Sequence, residues 1–491
     1  MKNNLLKTGI VGFDEILEGG LIPSRFYLVR GGPGTGKTTL GIHFLVEGLK
    51  NDEKLLFVSM TEDVEKIKQN GKEFGFPMDD ITFLDLSPKS DFIANNKDYD
   101  LFTSSEMEQE PIIEKLTNTI ENINPDRIFF DGFTQLKYLS SDEFKFRKQI
   151  LSFVQFVKEY NSTILLTSEV GTTNNDDGNL QFMVDGIIHL TYKNEEHDLE
   201  ITKYRGSSFN KGRHTMKFKD NGIEVYPQLK VSNYDKTPGS DIISSGITEI
   251  DKMLSGGIEE GTTTIITGQS GVGKTTLGTQ FIKNSAKQGK KSVIYTFEES
   301  HKTLMDRSKA INIPLDKMVE NNKLLVKKVS PLEYTPDEFS YILRSDIEQQ
   351  GTSIVLLDSI SSYFLSFNTV HDTVSMVRGL HALCDYLKSQ GVTLFMTNEI
   401  KNITGEFRVT STDTSYLADN ILFLRYLEMN GKLEKAIGVL KKRMSDFENS
   451  MRRFRITPDG IRVGKSLVNM RGILTGNPEL IDDGSGKNNG Y

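Results

Sequence analysis

The sequence predicts an α/β protein made of two tandem copies of one domain, each a mostly parallel sheet flanked by helices. Three observations lead there. Short, β-rich apolar runs alternate with longer helical patterns, as in sheets buried on both faces by crossover helices. A segment beginning at residue 8 recurs 237 positions later without a gap. A glycine-rich motif of the kind that cradles phosphate follows the first apolar run of both copies.

In the first copy the pattern predicts strands over 26–29, 55–58, 81–84, 127–131 and 163–166. Helices are expected to open at 38, 63 and 111, with a further one around 145–160. Right-handed crossovers put the strand C-termini, and hence a ligand, at one edge of such a sheet. The repeat pairs Thr8-Gly-Ile-Val-Gly-Phe-Asp14 with Ser245-Gly-Ile-Thr-Glu-Ile-Asp251. It also pairs Gly19-Gly20 with Gly256-Gly257, and Lys37-Thr-Thr-Leu-Gly41 with Lys274-Thr-Thr-Leu-Gly278. A repeat of this length is a duplicated domain rather than a solenoid unit. The expected organisation is a first domain over 1–228, a linker over 229–240 carrying Asn233, Pro238 and Gly239, and a second domain over 241–475. Residues 476–491, polar and rich in Gly and Asn, read as a flexible tail.

Composition narrows the class. Of 491 residues, 37% are hydrophobic and 26% charged, which fits a soluble globular chain. The longest apolar runs, such as Ser353-Ile-Val-Leu-Leu357, are strand-sized, so no membrane span is expected. The first seven residues hold no apolar core of a secretory signal. The single cysteine, Cys384, lies in an apolar pattern with Leu383 and Leu387 and reads as a buried, inert thiol of a cytoplasmic protein. The net charge is -8 and the basic stretches are short (287–291 and 441–443), so nucleic acid is not an expected partner.

The chemistry concentrates in the two glycine-rich motifs. Gly31-Gly-Pro-Gly-Thr-Gly-Lys37-Thr38 and Gly268-Gln-Ser-Gly-Val-Gly-Lys274-Thr275 both fit G-x-x-x-x-G-K-[ST]. Glycines let backbone N–H groups wrap a phosphate, and the following helix aims its positive end at the same anion. The nucleotide contacts expected are Gly34, Thr35, Gly36, Lys37, Thr38 and Thr39, and in the second copy Gly271, Val272, Gly273, Lys274, Thr275 and Thr276. The lysines should reach the β- and γ-phosphates of ATP, and the hydroxyls of Thr38 and Thr275 should bind Mg2+. Asp131 and Asp358, each ending an apolar run, are the expected strand-end acids for the metal. Hydrolysis also needs a group that orients or deprotonates the nucleophile. Glu298 and Glu299, in Tyr295-Thr-Phe-Glu-Glu-Ser300, suit that role, and Glu298 is a further candidate metal ligand. The first copy reads Val58-Ser-Met-Thr-Glu-Asp63, so Thr61 replaces the first acid and Glu62 remains.

At these residues the chain resembles the KaiC family of the RecA superfamily, over nearly its whole length. The tandem motifs, the Phe-Glu-Glu-Ser stretch and a repeated basic signature carry the resemblance. The signature is Lys203-Tyr204-Arg205-Gly206 in one copy and Lys441-Lys442-Arg443-Met444 in the other. The resemblance implies RecA-like ATPase domains in a homohexameric ring, with Lys203, Tyr204, Arg205, Lys441, Lys442 and Arg443 reaching the ATP of the neighbouring subunit. A cation on the γ-phosphate stabilises charge that develops in transfer. Lys435 falls where the family places another basic contact. The resemblance also implies a serine/threonine autokinase in the second domain. Ser415 falls on the acceptor serine, and Tyr416 replaces the adjacent threonine. Protein partners of a signalling or clock type follow from the same likeness. The chain stops ten residues after Ile481, so control through a long regulatory tail is not expected. The reading is a ring-shaped timing or signalling ATPase. The alternative on the same fold is a DNA-dependent motor or strand-exchange ATPase of the RecA/DnaB kind.

Overall fold

The computed structural model describes residues 5–88, 90, 105–138, 143–169, 180–229, 241–330, 333–367, 373–400, 414–429, 431–467, 470–471 and 479–480. Most of the expected linker and tail, and residues 401–413 before Ser415, lie outside the described residues. The chain divides into two compact units, Met1–Gln228 and Leu229–Tyr491.

In the first unit nine strands form one sheet: β1 (Phe26–Gly31), β2 (Leu55–Ser59), β3 (Thr82–Asp85), β4 (Arg127–Asp131), β5 (Thr163–Glu169), β6 (Gly186–Lys193), β7 (Glu196–Tyr204), β8 (Arg213–Lys219) and β9 (Gly222–Tyr226). Their order is β3-β2-β4-β5-β1-β6-β7-β8-β9. The pairs from β3 to β6 are parallel, and those from β6 to β9 antiparallel. In the second unit a short ribbon, β10 (Ile242–Ile243) with β11 (Ile258–Glu259), precedes the second sheet. That sheet comprises β12 (Thr263–Gly268), β13 (Ser292–Thr296), β14 (Leu324–Lys328), β15 (Ile354–Asp358), β16 (Thr393–Glu399), β17 (Asn420–Met429), β18 (Lys432–Lys442), β19 (Arg452–Thr457) and β20 (Gly460–Ser466). Its order, β14-β13-β15-β16-β12-β17-β18-β19-β20, repeats the first. The mostly parallel α/β architecture is the one the sequence predicts.

Alternation along the strands feeds two apolar layers. Tyr27, Val29, Phe57, Phe129 and Leu165 pack on one face of the first sheet, while Leu28, Leu56, Ile128, Phe130 and Leu166 pack on the other. Both layers are covered by helices, which is why these strands read as continuous apolar runs. The strand bounds agree with expectation to within three residues. The helix expected to open at 111 instead spans Ser105–Ile123, so Pro111 lies inside it rather than at its start. Cys384 is buried, and burial pushes its thiol up to about 12, so it stays protonated.

Candidate active sites

β1 and β12 are central, and each runs straight into its glycine-rich loop and then a helix, Lys37–Leu49 or Lys274–Lys287. The glycine before each helix, Gly36 or Gly273, has a left-handed φ of 92° or 119°, a conformation that costs a residue with Cβ. The lysine then curls back over the loop. Lys37 Nζ donates to Gly31 O and Gly32 O, both at 2.8 Å, and Lys274 Nζ donates to Gly268 O at 3.0 Å and Gln269 O at 2.9 Å. Burial lowers both ammonium pKa values, against the nearby carboxylates of Asp131 and Glu169 in one site and of Glu399, Asp358 and Glu298 in the other. A phosphate would replace those carbonyls with a stronger, charged acceptor.

The hydroxyl and the strand-end acid converge in both copies. Thr38 Oγ1 donates to Asp131 Oδ2 at 2.7 Å, and Thr275 Oγ1 donates to Asp358 Oδ2 at 2.8 Å. The other carboxylate oxygen is held from the next strand, by Thr167 Oγ1 at 2.7 Å in the first copy and by Thr397 Oγ1 in the second. A hydroxyl beside a fixed carboxylate is an all-oxygen donor set suited to a hard divalent cation that keeps waters and takes phosphate oxygens.

Glu298 lies two residues beyond Thr296, whose partner across the ladder is Asp358. It lines the second cavity, and its carboxylate accepts the Ser362 hydroxyl. Glu299 lines the same cavity and pairs with Arg307 at 2.8 Å. Burial raises its pKa while Arg307 lowers it. In the first copy Thr61 stands two residues beyond Ser59, which faces Asp131 across the ladder, and Glu62 lines the first cavity.

The basic signatures end β7 and β18. Their middle residues turn inward. Tyr204 is buried and donates to Gly20 O at 2.8 Å, while Lys442 is buried on Glu259 at 2.8 Å and Leu254 O at 2.7 Å. Their side chains are therefore engaged inside their own domain rather than offered to a nucleotide. Val272 is likewise core, leaving only its backbone to a phosphate. Lys203 donates to Gln181 O at 2.7 Å, and Arg205 is exposed. Lys441 donates to Ala418 O at 2.6 Å, and Arg443 to Tyr416 O at 3.2 Å and Asp419 at 3.4 Å. Ser415 lies in the short turn Thr414–Leu417 that these two cations hold, and it is half-buried. Lys435 donates to Gly271 O of its own loop at 2.9 Å.

Sequence reasoning missed Thr167 and Thr397, and also Glu169 and Glu399, which end β5 and β16 beside the loop glycines Gly31 and Gly268. The signal was there: Thr167-Ser-Glu169 matches Thr397-Asn-Glu399. Its spacing is 230 rather than 237, so it falls outside the ungapped repeat.

A family description, "ATPase: KaiC", matches residues 6–230 and again residues 243–468. The chain belongs to the KaiC family of ATPases. The Circadian clock oscillator protein KaiC of Parasynechococcus marenigrum (strain WH8102) is 28% identical, covering 98% of this chain and 94% of its own length. That of Synechococcus elongatus (strain ATCC 33912 / PCC 7942 / FACHB-805) is 27% identical, covering 97% and 92%. The Circadian clock protein KaiC3 of Synechocystis sp. (strain ATCC 27184 / PCC 6803 / Kazusa) is 28% identical, covering 96% and 94%. As a KaiC-like ATPase the chain binds and uses ATP, and the duplicated family match coincides with the two loop-bearing sheets. No helix among the described residues is long and apolar enough to cross a membrane.

Proposed function

We propose that this KaiC-family chain is a magnesium-dependent ring ATPase of the timing or signalling type, with serine autokinase activity in its second domain. The observation that carries the reading is the convergence of lysine, threonine hydroxyl and strand-end carboxylate at both loops, with Glu298 added only in the second. Lys37 and Lys274 bind the β- and γ-phosphates. Thr38 with Asp131, and Thr275 with Asp358, hold Mg2+ and its waters, and Glu298 is a further oxygen donor beside the second pair. The ion, when bound, neutralises charge on the phosphates. Glu298 takes the proton of the attacking hydroxyl, with Glu299 tied to Arg307 beside it, and Glu62 stands alone in the first site.

Lys203, Arg205, Lys441 and Arg443 reach the ATP of a neighbouring copy in a homohexamer. One contact favours linking them to the kinase step. Lys441 and Arg443 hold the turn that carries Ser415, so cations that meet a neighbour's γ-phosphate bring Ser415 to the same phosphate. Thr414 in that turn is buried and Tyr416 is a phenol, which leaves Ser415 as the aliphatic hydroxyl within reach. In the transfer Ser415 Oγ bonds to the γ-phosphorus, the bond to ADP breaks, and the proton passes to Glu298 of the subunit that holds the ATP. Residues 229–240 act as the linker and 476–491 as the tail. The cytoplasm is the compartment, and the partners are further copies and proteins of a clock or signalling type.

The test is incubation of pure protein with γ-labelled ATP and Mg2+, followed by peptide mapping of wild type and Ser415→Ala. Label on Ser415 that disappears in the variant is expected, and unchanged total phosphate would reject Ser415. Stimulation of turnover by DNA, with the steep salt dependence of phosphate contacts, would instead favour a nucleic-acid motor.

A further inference from the structure

The two cavities share their phosphate end and differ at the other. The first, about 350 Å³, runs from the loop past Asn70 to Phe74 and Phe218. The second, about 600 Å³, reaches Arg307, Ile311 and Ile456. Asn70 and Arg307, and likewise Phe74 and Ile311, are equivalent in the ungapped repeat. Phe218 and Ile456 are equivalent by packing: each is the side chain that a Cβ on the last loop glycine, Gly36 or Gly273, would strike first, at 2.8 Å and 2.7 Å. Two aromatic walls in one site thus become two aliphatic walls in the other, and a neutral amide becomes a guanidinium.

The aromatic wall is braced. Phe218 meets His197 edge-on with centroids 5.1 Å apart, and His197 stacks on Tyr192 at 4.3 Å. The His197 ring nitrogen donates to Gly34 O at 3.3 Å, which ties the stack to the loop itself. The second domain has Lys435 on the matching carbonyl, Gly271 O, and over the Tyr426 ring at 5.3 Å. A ring fixed before binding offers a flat face at little entropic cost. Stacking grows with the π-surface of the base, so rings favour purines over pyrimidines, whereas a β-branched aliphatic wall offers contact without that preference. Arg307 is already engaged by Glu299 at 2.8 Å, while Asn70 faces the first cavity with an amide that both donates and accepts.

We propose that the first-domain site is selective for purine nucleoside triphosphates, with Phe74 and Phe218 clamping the base and Asn70 reading its edge, whereas the second-domain site discriminates weakly between bases. The inference rests on the nucleotide reading of both loops.

Equilibrium binding of ATP, CTP and UTP, measured by calorimetry on the full chain, tests it. Lys274→Ala leaves the first site for study and Lys37→Ala the second. The first site should prefer ATP over UTP by about 10-fold or more, a ratio set by base stacking, and the second by no more than about 3-fold. Phe74→Ile with Phe218→Ile, in the Lys274→Ala background, should bring the ratio down to that of the second site. The reciprocal pair, Ile311→Phe with Ile456→Phe in the Lys37→Ala background, should raise it. That gain decides the matter if the first pair loses cooperative melting. Equal ratios at the two unswapped sites, or a reciprocal pair that melts cooperatively and gains no preference, would overturn the proposal. Absence of binding by any of the three at either site would overturn the nucleotide reading instead.

Discussion

Glu298 and Thr61 occupy the same place beyond their strands, yet only a carboxylate can accept a proton there at neutral pH. In a Lys37→Ala background, Glu298→Gln should lower turnover about 10²–10⁴-fold, the usual contribution of a positioned base. ATP affinity should hold, since Lys274, Thr275 and Asp358 stay in place. Unchanged turnover in that background would remove Glu298 from the role. A second residue carries a pH prediction. His43 is buried, its Nε2 accepts the Ile223 N–H at 2.8 Å, and burial pulls its pKa down to about 4. The folded value lies below the unfolded one, so this stabilisation is full above pH 6.5 and is lost as pH falls towards 4. At pH 5 the loss should be about 2 kcal/mol relative to pH 7. Asp14, raised to about 6 mainly by burial, works in the opposite sense, its contribution falling as pH rises from about 4 to 6. Comparing urea midpoints of the first domain in wild type and His43→Gln at pH 5 and 7 cancels Asp14. Equal pH dependence in the two proteins would show that His43 is not the titrating group.

At the scale of elements, the loop helices show how duplicated sequence meets different packing. Gly41 and Gly278 are equivalent, but a Cβ on Gly41 would lie 2.2 Å from the ring of Phe129, while one on Gly278 would lie 3.1 Å from a methyl of Leu356. Phe129 is buried with its ring edge against Phe57 at 5.0 Å, so it cannot swing away. Gly41→Ala should therefore destabilise the first domain by about 1–3 kcal/mol through overpacking. Gly278→Ala should be near neutral, because about 1 kcal/mol of helix propensity offsets a small shift of Leu356. Similar losses in the two variants, measured by denaturation, would contradict this. The same contrast explains what was legible in the sequence. Strand periodicity, the loops and Asp131 or Asp358 are local patterns, and they were readable. Thr397 against Asp358, Ser362 against Glu298 and Arg307 against Glu299 depend on which strands and helices lie side by side. No spacing along the chain encodes that. The inward turn of Tyr204 and Lys442 was hidden as well, since a register shift in each strand pairing, at Ile187/Ile188 and at Ile421/Leu422, resets the alternation just before the signature.

At the scale of the whole molecule, the proposal needs more than one copy at each catalytic centre. With ATP and Mg2+ the chain should sediment as a hexamer, and a monomer at micromolar concentration would contradict a ring. Mixing variants tests whether sites are shared. Lys274→Ala removes the phosphate-binding lysine of the second domain, and Lys441→Ala with Arg443→Ala removes its cations. Each variant alone should lack autophosphorylation, since every site in it is incomplete. In a mixed ring, a subunit with an intact loop can abut one with intact cations. Such pairs form about a quarter of the boundaries in a random equimolar head-to-tail ring, so about a quarter of wild-type phosphate incorporation should return. The recovered label should sit on Ser415 of the Lys274→Ala chains, because the turn travels with the intact cations that hold it. If the cations serve only their own domain, every subunit in the mixture keeps one defect and no label returns. If label returns on the Lys441→Ala/Arg443→Ala chains instead, the acceptor turn works within the subunit that holds the ATP, and the coupling of cations to acceptor is wrong while the shared site stands.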